Sequence, residues 1–143
     1  MKLKEIMTPD PDVVSPSTIL KDAARKMRDL DIGIIPVCEG GRVQGMLSDR
    51  DITIRATAEG LDPCNVEVEN VMTPDVVFCF EDQDVKEAAE LMKHEQLRRL
   101  VVLNRDKRLT GIVSLGDVAV KYKGSVLCAE TLDHVSRPAS PAR

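Results

Sequence analysis

Apolar residues recur at helical spacing in two stretches of the chain, with charged residues between them. The repeated positions are Leu20, Ala23, Ala24 and Met27 in the first stretch and Val85, Ala88, Ala89 and Met92 in the second. Spacing of i, i+3, i+4 and i+7 puts each set on one helix face, so it predicts two amphipathic helices. Ser17 and Asp82 precede these stretches and are the predicted N-caps.

Short apolar runs around the two helices predict β-strands. The predicted hairpins pair residues 34–37 with 43–47 and residues 100–103 with 109–113. Valine-containing segments before each helix, at residues 13–14 and 76–78, predict one further short strand. Polar residues after each hairpin indicate the start of a second helix. Each half of the chain therefore has the pattern β-α-β-β-α.

The two halves are copies of one sequence unit. Met-Thr-Pro-Asp at residues 7–10 returns 65 residues later at 72–75, whereas Gly45, Ser48 and Asp51 return 66 residues later. The extra residue falls in the hairpin turn, where an insertion is tolerated. We therefore expect an α/β (α+β) fold of two repeats, residues 1–60 and 61–125, packed through their sheets. Residues 126–143 show no apolar stripe and are predicted to be a flexible tail.

Charge and composition exclude several kinds of function. Among 143 residues there are 20 Lys and Arg against 24 Asp and Glu, a net charge of −4, which disfavours binding to nucleic acid phosphates. Aromatic residues make up 2%, too few for base stacking. No membrane span or export signal is expected, so a cytoplasmic location is the default. The four scattered cysteines are expected to be reduced core thiols, with a zinc site or a disulfide as the alternative.

The strongest chemical signal is the pattern Gly-h-h-Ser-x-x-Asp, where h is apolar. It occurs at residues 45–51 and again at 111–117. A strand leading into a helix leaves the first-turn N–H groups free for a phosphate. The serine hydroxyl can approach that phosphate, and the aspartate can accept from two ribose hydroxyls. Helix capping alone also explains one copy, but two copies at equivalent positions favour a binding site.

The doubled unit, its Met-Thr-Pro-Asp openings, Ile35-Pro36-Val37 and the paired motifs resemble a tandem pair of CBS domains, a Bateman module. The resemblance extends to about residue 123. It implies a pseudo-two-fold disc with two clefts for adenosine ligands. It also implies site residues: Asp51 and Asp117 at ribose, Ser48 and Ser114 at phosphate, and the backbone of Ile35, Pro36, Val37, Leu100, Val101 and Val102 at adenine.

The two implied clefts differ in charge. Arg50 lies within the first motif and Arg55 one turn after it, whereas Leu115-Gly116 occupies the second motif, with Lys121 and Lys123 downstream. Arg98 and Arg99 lie ahead of the second hairpin, where the family has phosphate contacts; a surface salt bridge is the alternative role for Arg98. His94 is expected to be partly buried and structural. The first cleft is therefore the better predicted nucleotide site.

These observations predict a non-catalytic regulatory module that needs no cofactor. Its expected ligand is an adenine nucleotide such as AMP, ADP or ATP, with NAD(H) or S-adenosylmethionine also possible. A ligand-free dimerisation or scaffold unit is the alternative. Inosine monophosphate dehydrogenase carries a similar pair, but 143 residues cannot hold its catalytic barrel. A homodimer is expected through helix faces bearing Ala24, Met27, Ala89 and Met92, and the effector protein stays unidentified.

Overall fold

A computed structural model describes residues 1–122 and 125–138 of the chain; Lys123 lies outside the described residues. The strands are β1 (Thr8–Pro9), β2 (Ile34–Glu39), β3 (Arg42–Ser48), β4 (Phe78–Phe80), β5 (Arg99–Leu103) and β6 (Leu109–Ser114). The helices are α1 (Leu20–Leu30), α2 (Asp49–Asp51), α3 (Val85–Glu95), α4 (Leu115–Asp117) and α5 (Ser125–Ser136). This mixture confirms the α+β class.

The chain forms two compact units. We call residues 11–76 the central unit; residues 1–10 together with the chain from Val77 onward are the terminal unit. This division differs from the sequence repeats 1–60 and 61–125. The difference arises because each Met-Thr-Pro-Asp segment belongs to the unit that contains the other repeat's hairpin.

The central unit is built on the β2–β3 hairpin. Ile35 lies opposite Leu47 in this antiparallel pair, and a β-bulge follows Val37. Val14 forms a parallel bridge to Val37 on the free edge of β2. Helix α1 covers the hairpin through the predicted apolar stripe. The buried core contains Val14, Leu20, Ala23, Met27, Ile35, Val37, Leu47, Ala56, Val68 and Val71.

The terminal unit repeats this plan with a larger sheet. Its strand order is β1-β6-β5-β4, with β4 parallel to β5 and the other pairs antiparallel. A β-bulge follows Val102, which is the position 65 residues after Val37. The buried residues include Leu3, Ile6, Val85, Ala88, Met92, Leu100, Val102, Val113 and Val118. The shared bulge shows that the two units follow one backbone plan.

The one-residue insertion lies in the hairpin turn, as predicted. The central unit turns through Gly40 and Gly41 at φ angles of 61° and 81°. The terminal unit uses a longer turn, in which the Asn104 side-chain oxygen accepts from the backbone N–H groups of Asp106 and Arg108.

The prediction of a flexible tail is wrong for residues 126–136, which belong to α5. Leu127, Cys128 and Val135 pack on the terminal core, and Thr131 is fully buried among them. The Thr131 hydroxyl donates to the Leu127 carbonyl at 2.7 Å, which satisfies it inside the helix. A polar residue in the middle of the buried face hides the apolar stripe from sequence analysis. Residues 139–143 of the predicted tail lie outside the described residues.

Two further expectations about the helices are wrong. The N-cap of α1 is Ile19, without a side-chain cap, and that of α3 is Asp84, whose carboxylate accepts from Lys86 N–H at 2.9 Å. Asp82 instead pairs with Arg105.

The helix faces predicted to mediate a dimer are mostly covered within the chain. Met27, Ala89 and Met92 are at most 5% exposed, so only Ala24 of that set stays half-buried. In the ranges 1–122 and 125–138, no helix is long and apolar enough to cross a membrane.

Candidate functional site

The junction between β3 and α2 carries the first Ser-x-x-Asp motif. Ser48 is the N-cap of α2, and its hydroxyl oxygen accepts from Asp51 N–H at 3.1 Å. In return, Asp51 Oδ2 accepts from Ser48 N–H at 3.0 Å. The helix then continues as a π-helix over Ile52–Thr57. Such π geometry is common near functional sites.

The Asp51 carboxylate is buried, with 8% of the residue exposed. Thr73 Oγ1 donates to it, at 3.4 Å from Oδ1 and 3.5 Å from Oδ2. Thr73 is absent from the predicted site residues, although it belongs to the second Met-Thr-Pro-Asp segment. The recurrence of that segment was the available signal. The structure thus joins a motif from the first repeat to a residue that opens the second.

Gly45 allows the segment bearing Thr73 to lie directly on β3. Met46 and Thr73 exchange two backbone hydrogen bonds, at 2.9 and 2.8 Å. A Cβ atom on Gly45 would stand 2.7 Å from both the Thr73 carbonyl oxygen and Met72 Sδ. The glycine of the motif is therefore required by packing, and it sets the position of Thr73 relative to Asp51.

The two arginines near this site have different environments. Arg50 is exposed, and within the described ranges its guanidinium has no hydrogen bond or ion pair. Arg55 Nη1 donates to the carbonyl oxygens of Val71 and Met72, at 3.2 and 3.0 Å. Arg55 therefore anchors the segment before Thr73, while Arg50 is the cation available to an anionic ligand.

The first-repeat residues whose backbone is expected to contact adenine lie inside the hairpin core. Ile35, Pro36 and Val37 are buried, and the Pro36 carbonyl already accepts from Val14 N–H at 3.1 Å. Val14 O also accepts from Cys38 N–H at 2.8 Å. The backbone carbonyl before Val37 and the backbone N–H after it are therefore already paired with Val14.

The terminal unit holds the second junction with the same capping geometry. Ser114 N–H donates to Asp117 Oδ2 at 2.9 Å, and Asp117 N–H donates to Ser114 Oγ at 3.1 Å. Lys121 Nζ lies 3.7 Å from Asp117 Oδ1 and donates to the Ile6 carbonyl at 3.1 Å. Lys121 thus anchors its opening segment as Arg55 does in the central unit. Within residues 1–122, no hydrogen bond joins Thr8, the counterpart of Thr73, to Asp117.

The arginines ahead of β5 lie on the surface. Arg98 Nη2 donates to Ser136 Oγ at 3.4 Å, and Arg99 is exposed at the start of β5. The expectation that His94 is partly buried is wrong, because its side chain is 82% exposed beside Glu95. The neighbouring strand residues Leu100, Val101 and Val102 are buried.

The four cysteines are dispersed along the chain and differ in burial. All four are free thiols: Cys38 and Cys79 are buried, Cys128 is half-buried and Cys64 is exposed. The exposed Cys64 differs from the expectation of core thiols. Across residues 1–122 and 125–138, no group of three His, Cys, Asp or Glu residues could hold a metal ion.

Two α+β units with one Ser/Asp capping junction each define a duplicated module with a candidate site in each half. A family model, described as the CBS domain, matches the chain twice, over residues 3–56 and 68–124. The chain therefore belongs to the CBS domain family. Both matches contain a Ser-x-x-Asp motif.

Relatives in this family extend over nearly the whole chain. The CBS domain-containing protein YhcV of Bacillus subtilis is 37% identical over 134 residues, which covers 94% of each chain. The structure of Hypoxic Response Protein I with two coordinated zinc ions has a TM-score of 0.76 at 33% identity, covering 85% of this chain and 98% of its own. The structure of CBSX2 in complex with AMP has a TM-score of 0.71 at 26% identity, covering 85% and 98%.

Proposed function

We propose that the chain is a non-catalytic regulatory module that binds an adenine nucleotide at the β3–α2 junction. The observation that carries this proposal is the buried Asp51 carboxylate, held at a helix N-terminus between Ser48 and Thr73. Support also comes from CBSX2, a relative whose structure contains AMP. The equivalent junction at Ser114 and Asp117 is proposed as a second, weaker site.

The groups at the junction keep unused hydrogen-bonding capacity. An ionised carboxylate has about four lone-pair sites. Asp51 uses part of this capacity to accept hydrogen bonds from Ser48 N–H and the Thr73 hydroxyl. The Ser48 oxygen accepts one bond, which leaves its own hydroxyl proton to donate. Asp51 can therefore accept from ribose while Ser48 donates to phosphate, without dismantling the cap.

Arg50 supplies the charge that a phosphate requires. Its guanidinium is exposed and follows the Ser48 cap by two residues. Charge-assisted hydrogen bonds from arginine to phosphate are roughly twice as strong as neutral ones. At the equivalent position the terminal unit has Gly116, which is the reason for ranking its site second.

Calorimetric titration tests the proposal directly. AMP, ADP, ATP, NADH and S-adenosylmethionine are each titrated into the full chain, and at least one is expected to bind with a dissociation constant below about 1 mM. The Arg50→Ala variant is expected to lose affinity relative to wild type, and the loss should grow with the number of phosphates on the ligand. Absence of binding by every ligand at millimolar concentration contradicts the proposal.

A ligand-free scaffold is the second candidate function. It is favoured by one observation: in both Ser/Asp junctions the two side chains cap the helix N-terminus reciprocally, which gives the motif a structural role. In that case the motif serves helix stability alone. The titrations distinguish the two functions, since a scaffold binds none of the nucleotides.

We also propose that the chain self-associates, with a homodimer as the simplest closed form. Apolar side chains remain exposed on its helical surfaces, including Val120, Val126 and Leu132. Exposed apolar surface of this kind commonly marks an interface. Light scattering is expected to give twice the chain mass of 15.8 kDa.

A further inference from the structure

An open apolar groove lies along α1 in the central unit. It runs between α1 and the π-helix Ile52–Thr57 and has a volume of about 310 Å³. Its lining consists of Leu20, Lys21, Ala24, Arg25, Arg28, Ile52, Ala56, Thr57, Leu61 and Pro63. The floor is aliphatic, whereas all the charged lining residues are cations. The groove has no part in the proposed nucleotide site.

The equivalent groove in the terminal unit is filled by α5. Helix α5 packs on α3 and α4, and on the π-helix Val118–Tyr122 that follows α4. The difference appears in matched residues of the two repeats. Ala89 and Val118 are fully buried, whereas their counterparts Ala24 and Ile52 are only half-buried. The same surface is therefore covered by a helix in one unit and open in the other.

The contact inside the terminal unit shows which charges suit such a groove. Lys93, the counterpart of Arg28, lies on α3 and forms an ion pair with Glu130 of α5 at 3.5 Å. In the central unit, Lys21 and Arg25 are exposed, and the part of the chain that the structure describes gives neither side chain an ion pair. A helix that fills the open groove should therefore have small or aliphatic residues beside an acidic one.

The outer face of α5 has this chemistry. Val126 and Leu132 are 70% and 43% exposed, and Ala129 is exposed between them. Asp133 lies on the same exposed side, one turn after Ala129, and forms an exposed ion pair with Arg137 at 2.6 Å. An exposed pair of this kind contributes little free energy, so the Asp133 carboxylate can exchange it for cations of a partner. Helix α5 thus has two apolar faces: one fills the groove of its own unit, and the other is open.

We propose that the central-unit groove of one copy binds the outer face of α5 from a second copy. The contact places the Asp133 carboxylate near Lys21 and Arg25, and Val126, Ala129 and Leu132 against the aliphatic floor. Packing two grooves against each other is disfavoured, because it brings like cations together. In a two-fold dimer the α5–groove contact forms twice. This inference rests on the proposed self-association and assigns its surface.

Sedimentation equilibrium on full-length variants tests the assignment. Arg25→Glu reverses a charge on the groove rim, and Leu132→Arg places a cation on the outer face of α5. Each is expected to raise the dimer dissociation constant at least tenfold. Leu30→Arg is the matched control, since Leu30 is 40% exposed but outside both surfaces, and it should leave dimerisation unchanged. Unchanged melting curves by circular dichroism establish that all variants are folded.

A charge exchange identifies the occupant. Asp133→Arg alone should weaken the dimer, and the double variant Arg25→Glu/Asp133→Arg should recover most of the lost affinity. No recovery means that these residues do not meet, and overturns α5 as the occupant. If the wild-type chain dimerises and neither Arg25→Glu nor Asp133→Arg weakens the dimer, the assigned surface is overturned while self-association stands. A wild-type monomer at 100 µM overturns self-association itself.

Discussion

Asp51 has two roles that one substitution can separate. Asp51→Ala removes the acceptor for Ser48 N–H and the proposed acceptor for ribose. We expect a tenfold to hundredfold loss of nucleotide affinity, about 1.5–3 kcal/mol for hydrogen bonds to a charged group. Loss of the cap should also lower the free energy of unfolding by ~0.5–2 kcal/mol. Calorimetry and thermal melting measure the two effects.

Asp117→Ala is the matched control, because Asp117 caps its helix in the same way. It should cost similar stability but less affinity. If Asp51→Ala melts lower and binds normally, the scaffold function is the better account. If Asp117→Ala loses more affinity, the terminal-unit site is the stronger one.

Gly45 is predicted to be intolerant of a side chain. A Cβ atom there meets the Thr73 carbonyl oxygen and Met72 Sδ at 2.7 Å, so Gly45→Ala must displace backbone. Overpacking of this kind costs about 1–3 kcal/mol, measurable as a lower midpoint in urea. Gly116→Ala is the control, since its nearest contact is at 3.5 Å and alanine favours helix. Equal stability of the two variants would contradict the close approach.

The buried thiols are predicted to react slowly below alkaline pH. Burial raises the pKa of Cys38 and of Cys79 from 9.0 to about 11, and the Glu87 carboxylate adds to the rise at Cys79. At pH 8 the thiolate fraction is then about a hundredfold lower than at a pKa of 9.0. Iodoacetamide should label the exposed Cys64 first, as mass spectrometry can follow.

Labelling of Cys38 and Cys79 should accelerate as the pH approaches 11. Because the folded state raises these pKa values, the neutral thiols stabilise the fold fully below pH 9 and lose that contribution as the pH rises toward 11. Equal labelling of all four cysteines at pH 8 would show that the cores open readily.

At the level of elements, α5 is predicted to be an integral part of the terminal unit. Val135 is 7% exposed and packs on the terminal core. Val135→Ala should lower the free energy of unfolding by about 1–3 kcal/mol through lost burial and a small cavity. Val126→Ala changes the same residue type on the same helix at 70% exposure, and at a concentration where the chain is monomeric it should stay within about 0.5 kcal/mol of wild type. Chemical denaturation compares them.

The elements also show how far sequence reasoning reaches. The apolar stripes of α1 and α3 have the same spacing, and that spacing alone predicts both helices and their buried faces. The sequence pattern did not predict α5 because Thr131, a polar residue, lies fully buried at the centre of this helix. Its hydroxyl bonds to a carbonyl one turn back, a local solution that no hydropathy pattern displays.

The candidate site was only partly predictable for a related reason. Ser48 and Asp51 belong to one short motif, so their meeting at a helix N-terminus follows from local spacing. Thr73 lies 22 residues from Asp51, and their contact depends on the segment at 72–75 pairing with β3. A repeat pattern shows that this segment recurs, but it contains no information about which hairpin it joins.

For the whole molecule, unequal sites predict that nucleotide protects one unit before the other. The ligand proposed for Asp51 would connect the β3–α2 junction to residues 72–75. A ligand that binds only the native state stabilises that state by mass action, by about 2.7 kcal/mol when its concentration is a hundred times the dissociation constant. Hydrogen exchange followed by mass spectrometry should therefore show slower exchange at residues 48–51 and 72–75 at low nucleotide concentration. Residues 7–10 and 114–117 should follow only at higher concentration. Protection that begins in the terminal unit, or equally in both, would reverse the ranking based on Arg50 and Gly116.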